Sequence, residues 1–155
     1  MLVYLSGGMG GLTYTEQLSW RNKFISGVLR KLGTDSGVGF FNPPLYYSPS
    51  KSLHKSEREV MEYDLGVLRK SDVVVVNFNI PESIGTAMEV AVARELKIPI
   101  IGVNALNKQL HPWLSESCMR MCETFDEAEE YLVDYFGHNP YYNTENLFKE
   151  GAGSE

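Results

Sequence analysis

The chain is expected to fold as an α/β domain, a three-layer, doubly wound parallel sheet of about five strands in the order 2-1-3-4-5. Three observations point there. Short β-branched runs alternate with helix-patterned segments along the chain. The run Val73-Val74-Val75-Val76 has no polar alternation, as a strand covered on both faces requires. Motif loops, Ser6–Gly11 and Asn77–Gly85, follow the first and third strands, and in this strand order those two strands are neighbours. Their carboxyl ends flank the crevice where open α/β sheets take ligands.

Each element has its own signal. Leu2–Ser6 reads as the first strand. Thr13-x-x-Glu16 is a capping box that opens a helix running to about Leu32, with Gly33 placed as its stop. Leu18, Ile25, Val28, Leu29 and Leu32 supply that helix's expected buried side. Val38–Phe41 is a second strand ended by Asn42-Pro43-Pro44, and Leu45–Ser56 reads as a loop, a candidate lid. In the next helix, around Glu57–Leu68, Met61, Leu65 and Leu68 form a core-facing stripe that includes Asp64. The Val73–Phe78 strand and an Asn77–Glu82 turn lead to Ser83, a good N-cap. The helix that follows, with Met88, Val90, Ala91, Val92, Ala93 and Leu96, is apolar nearly all round, which predicts burial. Strands at Pro99–Val103 and near Met119–Cys122 and a helix over Phe125–Phe136 complete the pattern. The tail from Gly137 to Glu155 shows no periodicity and is expected to be mobile or packed on a neighbouring subunit.

Composition bounds the function. At 155 residues the chain suits one domain, taken as residues 1–136. With 43% hydrophobic residues and no long apolar segment, it reads as globular rather than membrane-spanning, and its start lacks the pattern of a secretory signal, so a cytoplasmic setting is expected. A net charge of −6 with no basic patch argues against a nucleic-acid polymer as partner. Cys118 and Cys122 do not form a C-x-x-C pair and His54, His111 and His138 are scattered, so no metal is expected. Gly7-Gly8-Met9-Gly10-Gly11 matches neither a P-loop nor a dinucleotide fingerprint, and the chain has no Gly-x-Ser-x-Gly elbow.

Chemistry concentrates in Ser83-Ile84-Gly85-Thr86-Ala87-Met88-Glu89. Gly85, Thr86 and Glu89 share one side of the first helical turns. Glu89 among apolar neighbours is either a structural carboxylate, paired with Arg94 or Lys97 or reaching the surface, or a working one. Asp64 on the adjacent helix aims a second carboxyl at the same interior. Two carboxyls in unlike settings are what glycosyl transfer requires, one attacking the anomeric carbon and the other handling a proton.

With Val3-Tyr4-Leu5-Ser6-Gly7-Gly8-Met9, Asp64-Leu65 followed by Asp72, and the Ser83–Glu89 run, the chain resembles the nucleoside 2-deoxyribosyltransferase family, including related deoxynucleoside 5′-monophosphate N-glycosidases. The resemblance spans Met1 to about Phe136. It implies a flavodoxin-like sheet, no cofactor, Glu89 as the nucleophile on C1′, Asp64 as the group that contacts and helps protonate the base, and Tyr4 as the residue that orients Glu89. Substrate contacts fall to Ser6, Gly7, Gly8, Ser83, Gly85 and Thr86. Members matched to free nucleosides carry an acid where this chain has Ser83, and a serine at a helix N-terminus suits a 5′-phosphate; ordinary N-capping explains it equally. Family members also assemble as oligomers in which a neighbour completes each site, which makes His111–Ser115, with Trp113 and Ser115, either such a contribution or a surface loop anchored by one tryptophan. The leading expectation is transfer of 2-deoxyribose between bases, the alternative is hydrolysis of 5′-monophosphates, and the third reading is a nucleotide sensor without turnover. Flavodoxins share the strand order, but Ser6 is the sole hydroxyl donor ahead of the glycines that follow the first strand, too few for a flavin phosphate loop.

Overall fold

The computed structural model describes residues 1–48 and 53–138. Five parallel strands, β1 (Leu2–Gly7), β2 (Gly39–Phe41), β3 (Val73–Asn77), β4 (Ile100–Val103) and β5 (Arg120–Cys122), lie in the order β2-β1-β3-β4-β5. This is the expected order. The helices are α1 (Tyr14–Leu32), α2 (Glu57–Leu68), α3 (Ile84–Glu95), α4 (Pro112–Glu116) and α5 (Phe125–Tyr131).

Strand alternation divides the core into two layers. Val3, Leu5, Val73, Val75, Ile101 and Val103 pack on one side against Phe24 and Val28 of α1 and Ala128 of α5. Tyr4, Val74, Val76 and Ile100 pack on the other side against Leu68 of α2 and Val90 and Ala93 of α3. Tyr4 and Ser6 of β1 therefore share the face that α2 and α3 cover.

Local chemistry fixes the helix ends, at Thr13, Gly33 and Ser83 as anticipated and at Ser56 and Thr124 where no cap was expected. Thr13 and Glu16 complete the capping box of α1, and Gly33 at φ 90° stops it in a region that favours glycine. Ser56, Ser83 and Thr124 cap α2, α3 and α5 through their side chains.

Several boundaries and faces differ from the sequence reading. Val38 precedes β2, and Pro43–Tyr46 forms a 3₁₀ turn where a loop beginning at Leu45 was expected. The last helix ends at Tyr131 and continues as a π-helical segment, Leu132–Gly137. The short helix α4 carries no periodic signal, and His111 caps it. Met61 is 40% exposed, so the core stripe of α2 is Asp64, Leu65 and Leu68. Helix α3 buries one face only, through Thr86, Val90 and Ala93, and leaves Ile84 76% exposed along with Met88 and Leu96. The expected lid includes residues 49–52, and the expected tail continues past 138; both stretches lie outside the described residues. Among the described residues no helix is long and apolar enough to cross a membrane.

Candidate active site

The parallel register aligns Ser6 with Val76 and Gly7 with Asn77, so the loops after β1 and β3 leave the sheet side by side. Asn79 ties them together: Gly8 N–H donates to Asn79 Oδ1, and Asn79 Nδ2 donates to Gly8 O, each at 3.2 Å. The approach is close enough that a Cβ on Gly8 would sit 2.6 Å from Ile80 Cβ, so glycine is required here.

Glu89 lies at the base of the crevice these loops form. Tyr4 Oη donates to Glu89 Oε1 at 2.6 Å, and Ser6 Oγ donates to Oε2. Both hydroxyls come from alternate positions of one buried strand, so a rigid element holds each carboxylate oxygen. Arg94 and Lys97 make no ion pair with Glu89 among the described residues. Burial pushes the Glu89 carboxyl up to about 7, the two hydroxyl donors oppose that rise, nearby Asp64 adds to it and Arg21 opposes it. Burial and the adjacent carboxylates also drive the Tyr4 phenol far above its ordinary range, so it stays protonated and donating.

Asp64 is 7% exposed on α2, and its Oδ1 accepts from Tyr47 Oη. Burial raises this carboxyl to about 6 against the lowering effects of the Tyr47 bond, His54 and Arg21. Two carboxyls thus face one crevice with different partners, one gripped on both oxygens and the other on one.

The crevice has a volume of about 260 Å³. Glu89, Asp64, Gly7, Ser83, Gly85 and Thr86 line it, as the sequence reading expects, with Met9, Met61 and Met88 at its apolar wall. Ser83 Oγ accepts from Thr86 N at 3.3 Å and from Thr86 Oγ1 at 3.1 Å, so its capping role is real and its own proton remains to be donated. Two residues stand elsewhere. Gly8 spends its amide on Asn79 and does not line the crevice. Ser6 directs its hydroxyl to Glu89, which places it beneath the nucleophile candidate instead of toward a 5′ group. Within one chain Trp113 and Ser115 are not brought to the crevice: Trp113, 80% exposed, lines a separate groove of about 620 Å³ between α3 and α4, and Ser115 Oγ donates to Pro112 O.

Sequence reasoning missed three contributors. Arg21 is 0% exposed, although it continues the apolar spacing of Leu18, Phe24, Ile25 and Val28, and that interruption by a cation was the available signal. Tyr47 reaches Asp64 from a stretch without periodicity, and Asn79 works only because two loops meet; neither leaves a local signal. Among the described residues no group of three or more His, Cys, Asp or Glu is placed to hold a metal ion.

No family model matches the chain, and no curated protein matches it in sequence. Solved structures do match. A 2-deoxyribosyltransferase from the psychrotolerant bacterium Bacillus psychrosaccharolyticus superposes with TM-score 0.66 at 22% identity, covering 84% of this chain and 92% of that one. A conserved protein from Enterococcus faecalis V583 gives TM-score 0.68 at 16% identity over 83% and 94% of the two chains. A CMP N-glycosidase from Clostridium botulinum gives 0.53 at 18% identity, covering 87% of this chain and 100% of its own. This chain shares their fold.

Proposed function

We propose that the protein is a nucleoside 2-deoxyribosyltransferase that cleaves the N-glycosidic bond of 2′-deoxyribonucleosides and passes the sugar to another base. The observation that carries this reading is the Glu89 carboxylate, held on both oxygens by Tyr4 and Ser6 and opening into a crevice that Asp64 shares. A structural carboxylate in an ion pair would have a cation against it; this one has two hydroxyls and a cavity.

The reaction proceeds by double displacement. Glu89 attacks C1′, the bond to the base breaks, and a deoxyribosyl ester forms on the carboxylate. Asp64, whose raised affinity for protons keeps part of it neutral near pH 6, delivers a proton to the departing base directly or through water. A second base then gives its ring N–H proton to the Asp64 carboxylate left by the first step and attacks C1′ from the face the first base left, the ester bond to Glu89 breaks, and configuration is retained. Tyr4 holds Glu89 in line, Ser83, Gly85 and Thr86 receive the 5′ end of the sugar, and no cofactor takes part.

The fold relationships to a 2-deoxyribosyltransferase and to a CMP N-glycosidase support N-glycosidic chemistry on a nucleoside or nucleotide. One observation favours a second reading, hydrolysis of deoxynucleoside 5′-monophosphates: the uncommitted Ser83 proton sits at the N-terminus of α3, where an anion is stabilised. The proposal also includes assembly as a homo-oligomer, with Trp113 and Ser115 offered to a neighbour's site.

Incubation with deoxycytidine, deoxyadenosine and their 5′-monophosphates, with and without a free acceptor base, decides among these. New nucleosides formed in the presence of acceptor are the expected result. Free base and deoxyribose 5-phosphate released from monophosphates alone, whatever the acceptor, would replace the lead reading with the second. Tight binding without cleavage of either class would leave a sensor.

A further inference from the structure

We propose that Arg21 is a positioning residue that holds Ser6 in line with Glu89 and supplies the buried cation of the site; this rests on Glu89 being the nucleophile. The geometry begins at the sheet edge. Gly39 N–H donates to Met1 O from the β2 side, while Asp72 N–H donates to Leu2 O from the β3 side. Parallel strands alternate their bonding sides, so the carbonyls of Leu5 and Gly7 point toward β2. But β2 pairs only as far as Tyr4 and ends at Phe41. The two carbonyls that flank Ser6 are therefore left without a strand to accept from.

Arg21 takes both. Its Nε donates to Leu5 O at 3.3 Å, its Nη2 to Gly7 O at 3.0 Å, and its Nη1 to Gln17 O on its own helix at 2.6 Å. A planar guanidinium matches this spacing, and an ammonium cannot span it. The side chain is fully buried, and among the described residues it forms no direct ion pair. Besides the three carbonyls, the guanidinium lies 4.6 Å over the Trp20 ring; a buried cation that neutral groups alone satisfy is costly to keep unless an anion nearby offsets it. The groups that bear on Glu89 are Tyr4 on β1, Asp64 on α2, Tyr47 on the loop before α2 and Arg21 on α1; Arg21 is the one cation among them. Burial lowers the Arg21 guanidinium to about 10, which leaves it charged at neutral pH, and Glu89 is the largest influence holding it up.

The test compares Arg21→Lys, Arg21→Gln and wild type by carboxyl ¹³C NMR titration of Glu89, assigned with Glu89→Gln, beside the pH profile of kcat/KM on the best-cleaved substrate. Arg21→Gln, which removes the charge, should raise the Glu89 midpoint and move the acid limb of kcat/KM upward with it. Arg21→Lys, which keeps the charge but cannot bridge Leu5 O and Gly7 O, should leave the midpoint within a few tenths of a unit and lower kcat about tenfold with KM little changed. A folded Arg21→Gln with an unmoved Glu89 midpoint overturns the proposal, and so does an Arg21→Lys variant with full kcat. The second outcome remains available if Arg21→Gln does not fold. Because the titration reads Glu89 without turnover, a coupled midpoint in a protein whose Glu89→Gln variant keeps its activity would remove the nucleophile assignment and leave the charge coupling standing.

Discussion

The two hydroxyls on Glu89 grip different oxygens, so single substitutions can separate their effects. Glu89→Gln removes the nucleophile while leaving a side chain of the same shape, so turnover should fall by roughly a thousandfold or more with circular dichroism and oligomeric state unchanged. Near-normal turnover in that variant would end the assignment. Tyr4→Phe deletes the 2.6 Å donor to Oε1 and leaves Ser6 on the other oxygen. It should therefore weaken kcat by about ten- to a hundredfold and raise the pH at which activity appears, since a lost donor favours the protonated acid. Asp64→Asn should slow purines and pyrimidines by different factors, because the two take up the leaving-group proton at different ring positions; equal small losses would make Asp64 a positioning group. The chain disclosed these carboxyls because an acid inside an apolar helical stripe is conspicuous. It did not disclose Tyr47, whose contact with Asp64 exists only once a loop folds over α2.

At the scale of elements, the turns and caps were the most legible features, and strand and helix edges the least. Capping residues act within four positions of themselves, so Thr13 and Ser83 could be read locally. The faces of α2 and α3 depend on what packs against them, which is why Met61 and Met88 turned out at the crevice wall rather than in the core. Helix α3 offers a test of what its N-cap residue, Ser83, is for. Aspartate caps as well as serine, so Ser83→Asp should keep the melting temperature within about a degree while adding a carboxylate at the crevice. It should depress any activity on 5′-monophosphates more than activity on nucleosides, which kcat/KM ratios across the two substrate classes measure. Equal losses on both would show that Ser83 only caps.

For the molecule as a whole, the site is a source of pH-dependent instability. Glu89 and Asp64 bind protons more tightly folded than unfolded, with carboxyls raised to about 7 and about 6. Their contribution to stability is fully present below the ordinary carboxylate range and is lost as pH rises through 6 and 7, at on the order of 2 kcal/mol per group. Chemical denaturation at pH 4.5 and pH 8 should therefore show Asp64→Asn gaining on wild type at the higher pH, and a constant difference would contradict the raised carboxyl. The strand order was readable as a whole because alternating strands and helices with short connections admit few topologies. That order also has a consequence for synthesis. β1 leaves the ribosome first yet lies inside the sheet, and Tyr4 meets its carboxylate partner 85 residues later. Until α3 has emerged, a nascent chain carries the phenol and hydroxyl of its future centre without the carboxylate they bind in the finished fold. Contacts this distant in sequence form slowly. Assembly of the centre thus waits for α3, which follows three of the five strands, and fragments that end before Glu89 should neither bind nucleosides nor yield a partly working enzyme.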